Sequence, residues 1–155
     1  MKIVIMRHGE AEHYADSDAE RALTETGQTA SAAVARVFAK QSGLDQFDKV
    51  LVSPYLRAQQ TWQAISECFS VAKVETCDDI TPYGQAEDVF EYLVALIQTE
   101  QLETLLIISH LPLVGYLVAE LVAGLPAPMF PTSGAIGLEF DPETKQASVL
   151  WNVYP

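Results

Sequence analysis

Short apolar runs alternate with longer amphipathic stretches over the first 125 positions of the chain. Four of the runs are rich in Val and Ile and mostly unbroken in their apolar character, as strands covered on both faces are. They occupy residues 2–6, 49–53, 72–76 and 104–108. Because a stretch with helical spacing follows each run, the pattern predicts parallel strands joined by helices.

The first helix is predicted from Thr24, a suitable N-cap, to Lys40, with Gly43 just past its end. The second is predicted to have Ser53 as N-cap and Pro54 as its first residue. A third helix follows the third run, and a fourth begins after Pro112. The apolar positions predicted to face the sheet in the first three helices are Ala30, Val34, Val37, Phe38, Ala58, Thr61, Trp62, Ile65, Val89, Phe90, Leu93, Leu96 and Ile97.

The C-terminal pattern differs, because residues 135–140 and 147–153 flank a polar turn and predict a hairpin at a sheet edge. The whole order, β-α-β-α-β-α-β-α-β-β, predicts an α/β fold: a mainly parallel sheet with helices on both faces and a C-terminal hairpin. The length of 155 residues suits one domain spanning residues 1–155.

Composition narrows the classes of partner. Nine Lys and Arg against 21 Asp and Glu give a net charge of −12, which argues against nucleic acid or an anionic membrane as the main partner. Cys68 and Cys77 lack the spacing of a zinc site and indicate a reducing compartment. Only four apolar residues precede Arg7, too few for a signal peptide, so we expect a cytoplasmic protein.

Basic side chains follow three of the four predicted parallel strands. Arg7 and His8 end the first, Arg57 lies one helical turn after the second, and His110 follows the fourth. In such folds the active crevice lies beyond the carboxyl ends of the strands. We therefore expect these four side chains to meet at one edge of the sheet.

Two arginines and two histidines at one place in an acidic protein indicate a site for a tetrahedral dianion such as phosphate. The chain has no Gly-rich phosphate loop and no metal-binding motif, so we expect neither a cofactor nor a metal. His8 is the candidate nucleophile, because an imidazole offers an unprotonated nitrogen at neutral pH. Arg7, Arg57 and His110 are then expected to bind the phosphoryl oxygens.

Three motifs in order, "RHGE", "SPYLRAQQT" and "SH", resemble the histidine phosphatase superfamily. The segments "LTETG" and "ISHLPLVGYLVAEL" are most similar to its SixA-type phosphohistidine phosphatases. The resemblance implies a phosphoglycerate-mutase-like core and a covalent phosphohistidine intermediate on His8. It also implies a phosphate pocket of Arg7, Arg57 and His110, to which Arg21 is a possible addition, although a salt bridge in the loop would explain Arg21 equally well.

The chain differs from the broader superfamily in the length of the segment between the second and fourth predicted strands. Only 52 residues lie between Arg57 and His110, and helices and strands occupy them, which leaves no room for a lid. We expect an uncovered pocket of this kind to suit a histidine presented on another protein. Asp79 falls near the place of the superfamily's catalytic acid, but an acidic loop residue of this kind is more often simply solvated.

Three functions remain open at this point. The first is a phosphatase for phosphohistidine on a signalling or phosphotransfer protein, with a histidine-phosphotransfer domain or a phosphocarrier as partner. The second is a small-molecule phosphomonoesterase of the same superfamily. The third is a catalytically silent module that binds phosphoproteins. The sequence predicts neither the individual partner nor an oligomeric state.

Overall fold

The computed structural model describes all 155 residues and contains a six-stranded sheet and four α-helices. The strands are β1 Lys2–Arg7, β2 Gln46–Val52, β3 Ser70–Thr76, β4 Thr104–Ser109, β5 Ala135–Asp141 and β6 Gln146–Val153. The helices are α1 Glu25–Ser42, α2 Leu56–Ile65, α3 Ala86–Glu100 and α4 Leu113–Leu121, and two 3-10 turns lie at Asp18–Glu20 and Ser66–Cys68. The predicted order of strands and helices is confirmed.

The strands are arranged in the order β3-β2-β4-β1-β5-β6. The first four are parallel to one another, and the β5–β6 hairpin joins β1 in antiparallel pairing and leaves β6 at the edge. From β1 through β2 to β3, each new strand lies further toward one edge of the sheet. The chain then reverses direction, and β4 and β5 are placed on either side of β1. Right-handed crossovers therefore place α1 and α2 on one face and α3 and α4 on the other.

The central strands are buried on both faces. In β1, Ile3 and Ile5 pack toward α3 and α4, whereas Val4 and Met6 pack toward α1 and α2. Residues 105–108 of β4 divide between the two faces in the same way and are fully buried. This double burial explains why these strands appear in the sequence as unbroken apolar runs.

Helix α1 has the predicted capping residues, although it continues two residues past the predicted end at Lys40, to Ser42. The Thr24 side chain accepts a hydrogen bond from the Gly27 N–H, and Gly43 ends the helix with a left-handed φ of 69°. The prediction that Val37 faces the sheet is wrong, because its exposed fraction is 50%. The buried face of α1 is instead formed by Gly27, Ser31, Val34, Ala35 and Phe38.

The predicted start of α2 is also wrong. The helix begins at Leu56, and Tyr55, in extended conformation, occupies the N-cap position predicted for Ser53. The Ser53 hydroxyl lies 2.7 Å from a ring nitrogen of His110 and is engaged there, so Ser53 does not act as the helix cap.

The long apolar stretch from residue 105 to residue 125 contains most of β4, a polar turn and α4. No helix of the structure has both the length and the apolar character that crossing a membrane requires.

Candidate active site

Strand register brings His8 and His110 together. Arg7 in β1 pairs with Ser109 in β4, so the residue that follows each strand emerges at the same edge of the sheet. The His8 N–H donates to the Ser109 carbonyl oxygen at 2.9 Å, and the two imidazole rings lie 5.0 Å apart between centroids. His8 is 7% exposed and His110 1% exposed, so both rings occupy a site with little access to water.

One hydrogen bond assigns the tautomer of His8. Its Nδ1 lies 2.7 Å from the Gly9 carbonyl oxygen, which can only accept, so the proton is on Nδ1. The other ring nitrogen, Nε2, is therefore unprotonated and has its lone pair directed away from the Gly9 carbonyl. The Gly9 N–H donates to the Thr61 hydroxyl oxygen at 3.0 Å, which holds this segment against α2. The ring of His8 thus has a fixed direction and a fixed proton.

Arg57 lies beside the unprotonated nitrogen of His8. Its Nε–H donates to His8 Nε2 at 3.3 Å, and Arg57 is only 4% exposed. Burial lowers the pKa of His8 to about 4 and outweighs the hydrogen bond to Gly9, which raises it; the charges of Arg57 and Arg7 lower it further. His8 is therefore neutral near pH 7 and can act as a nucleophile.

His110 is held on one side and unpartnered on the other. Its Nε2 lies 2.7 Å from the Ser53 hydroxyl, while its buried Nδ1 makes no hydrogen bond. Burial, followed by the proximity of His8 and Arg57, lowers the pKa of His110 to about 2. A neutral ring with one anchored nitrogen has its second nitrogen available for a ligand.

Arg7 is the second guanidinium of the site. One terminal nitrogen, Nη1, donates to the Phe130 carbonyl oxygen at 2.9 Å, and the buried Nε has no partner. Burial lowers the pKa of Arg7, and the charge of Arg57 adds to that effect. Two unpaired buried polar atoms, Nε of Arg7 and Nδ1 of His110, are thus found in this cationic cluster.

Arg21 and Asp79 do not make hydrogen bonds to these four residues. Arg21 lies on the loop after β1 and donates to the Glu12 carbonyl oxygen at 2.7 Å and to the Asp18 carboxylate at 3.0 Å. Its charge nevertheless contributes to the lowered pKa of His8. Asp79 is exposed on the connection between β3 and α3. The roles suggested for both residues stay predictions.

Sequence reasoning missed several residues that contact the site, among them Asp18 and Thr61. Asp18 accepts hydrogen bonds from Arg57 through its backbone oxygen at 2.7 Å and its carboxylate at 3.2 Å. No sequence signal distinguishes Asp18 from the other acidic residues of the loop. Thr61 donates its hydroxyl proton to the Arg57 carbonyl oxygen at 2.7 Å. Its position four residues after Arg57, on one helix face, was a usable signal.

The arrangement is suited to a tetrahedral anion in contact with His8 Nε2. Buried guanidinium and imidazole groups bind phosphoryl oxygens through charge-assisted hydrogen bonds. No three His, Cys, Asp or Glu side chains lie close enough together to hold a metal ion. A cavity of about 840 Å³, lined by the start of α3 and by one face of α4, contains none of the four side chains. The chemistry is expected at the cationic cluster, because the candidate nucleophile His8 lies there.

The chain is similar to curated proteins and to solved structures. The chain is 40% identical over 156 aligned positions to the phosphohistidine phosphatase SixA of Escherichia coli, covering all of this chain and 94% of that one. It is 44% identical to a SixA homolog of Haemophilus influenzae, with 78% and 77% of the two chains covered. The structure of the protein histidine phosphatase SixA complexed with tungstate matches with a TM-score of 0.91, at 40% identity and with 100% and 97% coverage.

The family model described as the histidine phosphatase superfamily (branch 1) matches residues 3–91. That segment contains Arg7, His8 and Arg57, and the Escherichia coli relative, which aligns with the whole chain, extends the similarity past His110. The chain belongs to the histidine phosphatase superfamily.

Proposed function

We propose that this protein is a metal-independent phosphatase that removes the phosphoryl group from phosphohistidine on a signalling or phosphotransfer protein, through a covalent intermediate on His8. The observation that carries the proposal is the unprotonated Nε2 of His8, fixed by the Gly9 carbonyl and adjacent to the Arg57 Nε–H. The substrate class is supported by relatives of about 40% identity named as phosphohistidine phosphatases.

In the first step, His8 Nε2 donates its lone pair to the phosphorus atom and forms a new P–N bond. The P–N bond to the substrate imidazole breaks, and its electron pair returns to the substrate nitrogen. A substrate ring already protonated on its other nitrogen leaves as a neutral imidazole. Under this scheme the step needs no acid from the protein, which is consistent with Asp79 making no hydrogen bond to the site.

Three side chains are expected to stabilise the three phosphoryl oxygens during transfer. Arg7 has its buried Nε–H free, and Arg57 has its Nε–H directed toward the reacting nitrogen. His110 has Nδ1 free, and with its proton there the ring accepts a hydrogen bond from the Ser53 hydroxyl at Nε2. Donors fixed before the reaction lower the barrier because they need no rearrangement as charge spreads.

In the second step, a water molecule attacks the phosphorus atom of phospho-His8. The P–N bond breaks, its electron pair returns to Nε2, and the water protons leave with inorganic phosphate. His8 is then neutral again, with its proton on Nδ1 as before. One water molecule is consumed and one phosphate released in each cycle.

The absence of an inserted helical lid supports a protein substrate. The connection between β3 and α3 comprises only residues 77–85, and no helix is inserted there. Small metabolites usually bind in pockets that enclose them. When the substrate is a histidine on a protein surface, the partner protein itself covers the open site. We propose a histidine-phosphotransfer domain or a phosphocarrier as the partner.

A single-turnover experiment with a phosphocarrier labelled on its phosphohistidine tests the proposal. Rapid quenching should trap label on this protein and mapping should find it on His8. The variant His8→Asn should accept no label. The exposed His13, replaced in His13→Asn, supplies the matched control and should leave transfer unchanged.

Two results would overturn the proposal. Tight binding of the carrier without transfer of label would indicate a binding module rather than a phosphatase. Equal efficiency on small phosphomonoesters, measured at matched enzyme concentration, would indicate a phosphomonoesterase.

A further inference from the structure

The two usable edges of the Arg57 guanidinium face different partners. Its end, formed by the two terminal nitrogens, binds Asp18: Nη1 donates to the backbone oxygen at 2.7 Å and Nη2 to the carboxylate at 3.2 Å. Its side, which contains the Nε–H, faces His8 Nε2 at 3.3 Å. A planar guanidinium that is held at its end has the direction of its side edge fixed as well.

Asp18 is itself held in place. Its second carboxylate oxygen accepts a hydrogen bond from Arg21 at 3.0 Å, and Arg21 in turn donates to the Glu12 carbonyl oxygen at 2.7 Å. Each oxygen of the Asp18 carboxylate therefore binds a different arginine. The loop after β1 is connected in this way to α2, which begins one residue before Arg57.

We propose that Asp18 is a positioning residue, which binds the end of the Arg57 guanidinium and directs the Nε–H edge at the phosphoryl group on its way to His8. This inference rests on the function proposed above. In this arrangement the phosphoryl oxygens take the Nε–H and the remaining N–H of Nη2, while the bonds to Asp18 stay in place. Asp18 touches neither substrate nor reacting atoms.

The cationic surroundings explain why Arg57 needs such a partner. Arg7 lies near enough for the charge of Arg57 to lower its pKa, so the two guanidinium groups repel each other. Asp18 is the one carboxylate that forms an ion pair with Arg57. Without the carboxylate, Nη2 would lose its partner, and only the bond from Nη1 to the Asp18 backbone oxygen would hold the end of the guanidinium, which a single bond does not fix in direction.

Three variants separate positioning from other roles. Asp18→Ala removes the carboxylate, and Asp18→Asn retains an amide oxygen that can accept from Nη2. Glu20→Ala is the matched control, because Glu20 lies in the same 3-10 turn but its carboxylate accepts a hydrogen bond only from the exposed Ser17 hydroxyl. For each folded variant, kcat and KM are measured on a phosphohistidine carrier, and tungstate affinity is measured by calorimetry.

We expect Asp18→Ala to lower kcat about tenfold or more, with tungstate bound at least as tightly as by the wild type. Asp18→Asn should stay within about threefold of the wild-type kcat, and Glu20→Ala should match the wild type. A merely structural role would change melting temperature and leave the kcat of the folded protein unaltered.

An unchanged or increased kcat in Asp18→Ala would overturn the proposal, because it would mean that Asp18 competes with the phosphoryl group. Equal losses of kcat in Asp18→Ala and Asp18→Asn would also overturn it, because they would show that the negative charge of Asp18, and not its hydrogen bond to Nη2, is what Arg57 requires. Failure of the proposed function has a different signature: the wild-type protein would then itself leave the carrier phosphorylated.

Discussion

The Nε–H of Arg57 lies 3.3 Å from His8 Nε2, although the two residues are 49 positions apart along the chain. His8 directly follows β1 and donates its N–H to the Ser109 carbonyl oxygen at the end of β4, and α2 presents Arg57 in its first turn. A cation beside a nitrogen lone pair favours the neutral imidazole. In the proposed mechanism the same cation receives the phosphoryl oxygens when that lone pair attacks. One contact would therefore serve both the resting enzyme and the proposed transfer.

Arg57 should not be replaceable by lysine. Arg57→Lys keeps a positive charge but removes the planar guanidinium. The terminal nitrogens of that group bind Asp18, and its Nε–H donates to His8 Nε2. We expect kcat/KM for dephosphorylation of a phosphohistidine carrier to fall about a hundredfold. Arg36→Lys, on the exposed side of α1, is the matched control and should keep wild-type kinetics. Equal activity of both variants would show that charge alone is required at position 57.

Ser53 should affect catalysis through His110. Ser53→Ala leaves the buried Nε2 of His110 without a partner, which costs about 1–3 kcal/mol of folding free energy and frees the ring to turn. We expect a comparable loss of stability and about a tenfold loss of kcat. Denaturant titration and steady-state kinetics measure the two effects.

Ser109→Ala supplies the comparison for Ser53. The Ser109 hydroxyl is equally buried but donates to the Ile80 carbonyl oxygen at 2.7 Å and not to a ring nitrogen. Its loss should lower stability by a similar amount with a smaller effect on kcat. Parallel losses of kcat in both variants would contradict a specific role for the Ser53–His110 contact.

The fold was largely predictable, because the features that define it are local. Double burial makes each central strand an unbroken apolar run, and Thr24 and Gly43 mark the ends of α1 by side-chain capping and a left-handed φ. The order of strands in the sheet was not predicted. Which strands are neighbours depends on crossovers that pass over a place in the sheet later filled by another strand, as from β1 to β2 across β4. No local sequence pattern indicates that a place has been passed over.

The candidate site was predictable only in part. Basic residues at the carboxyl ends of parallel strands predicted where His8, Arg57 and His110 meet, because topology alone brings those ends together. Contacts between loops and helices were not predictable. Ser53 was assigned to a helix cap because the residue that binds its hydroxyl is 57 positions away, and Asp18 lies among acidic loop residues that look the same in sequence.

Gly9 should tolerate no side chain. A Cβ at Gly9 would lie 2.7 Å from the Gly27 carbonyl oxygen and 2.7 Å from the Ser31 hydroxyl, at the start of α1. Gly9→Ala should therefore destabilise the protein by about 3 kcal/mol or more and displace the carbonyl that binds His8 Nδ1. Calorimetric melting and kcat together report both consequences.

The control for Gly9 is Gly43. A Cβ there meets nothing within 4 Å, although φ is +69°. Gly43→Ala should cost about 1–2 kcal/mol from backbone strain alone and leave kcat unchanged. A Gly9→Ala variant as stable and active as Gly43→Ala would contradict the close packing of this segment against α1.

The two site histidines should make the protein less stable as the pH falls below neutral. Burial lowers the pKa of His8 to about 4 and that of His110 to about 2, from an ordinary value of 6.5. Below pH 6.5 the unfolded chain binds a proton at each position and the folded protein does not. The free energy of unfolding should therefore decrease by up to about 1.4 kcal/mol per pH unit for each histidine.

Carboxylates with lowered pKa values, such as those of Asp18 and Glu75, change the free energy of unfolding in a different pH range. Their stabilisation is lost as the pH falls through and below the ordinary carboxyl range of about 4–4.5, so the change between about pH 6.5 and about pH 5 belongs to histidine. Urea unfolding of His110→Asn should show about half of the wild-type slope between these pH values. A wild-type slope in His110→Asn would mean that His110 is not held neutral in the folded protein.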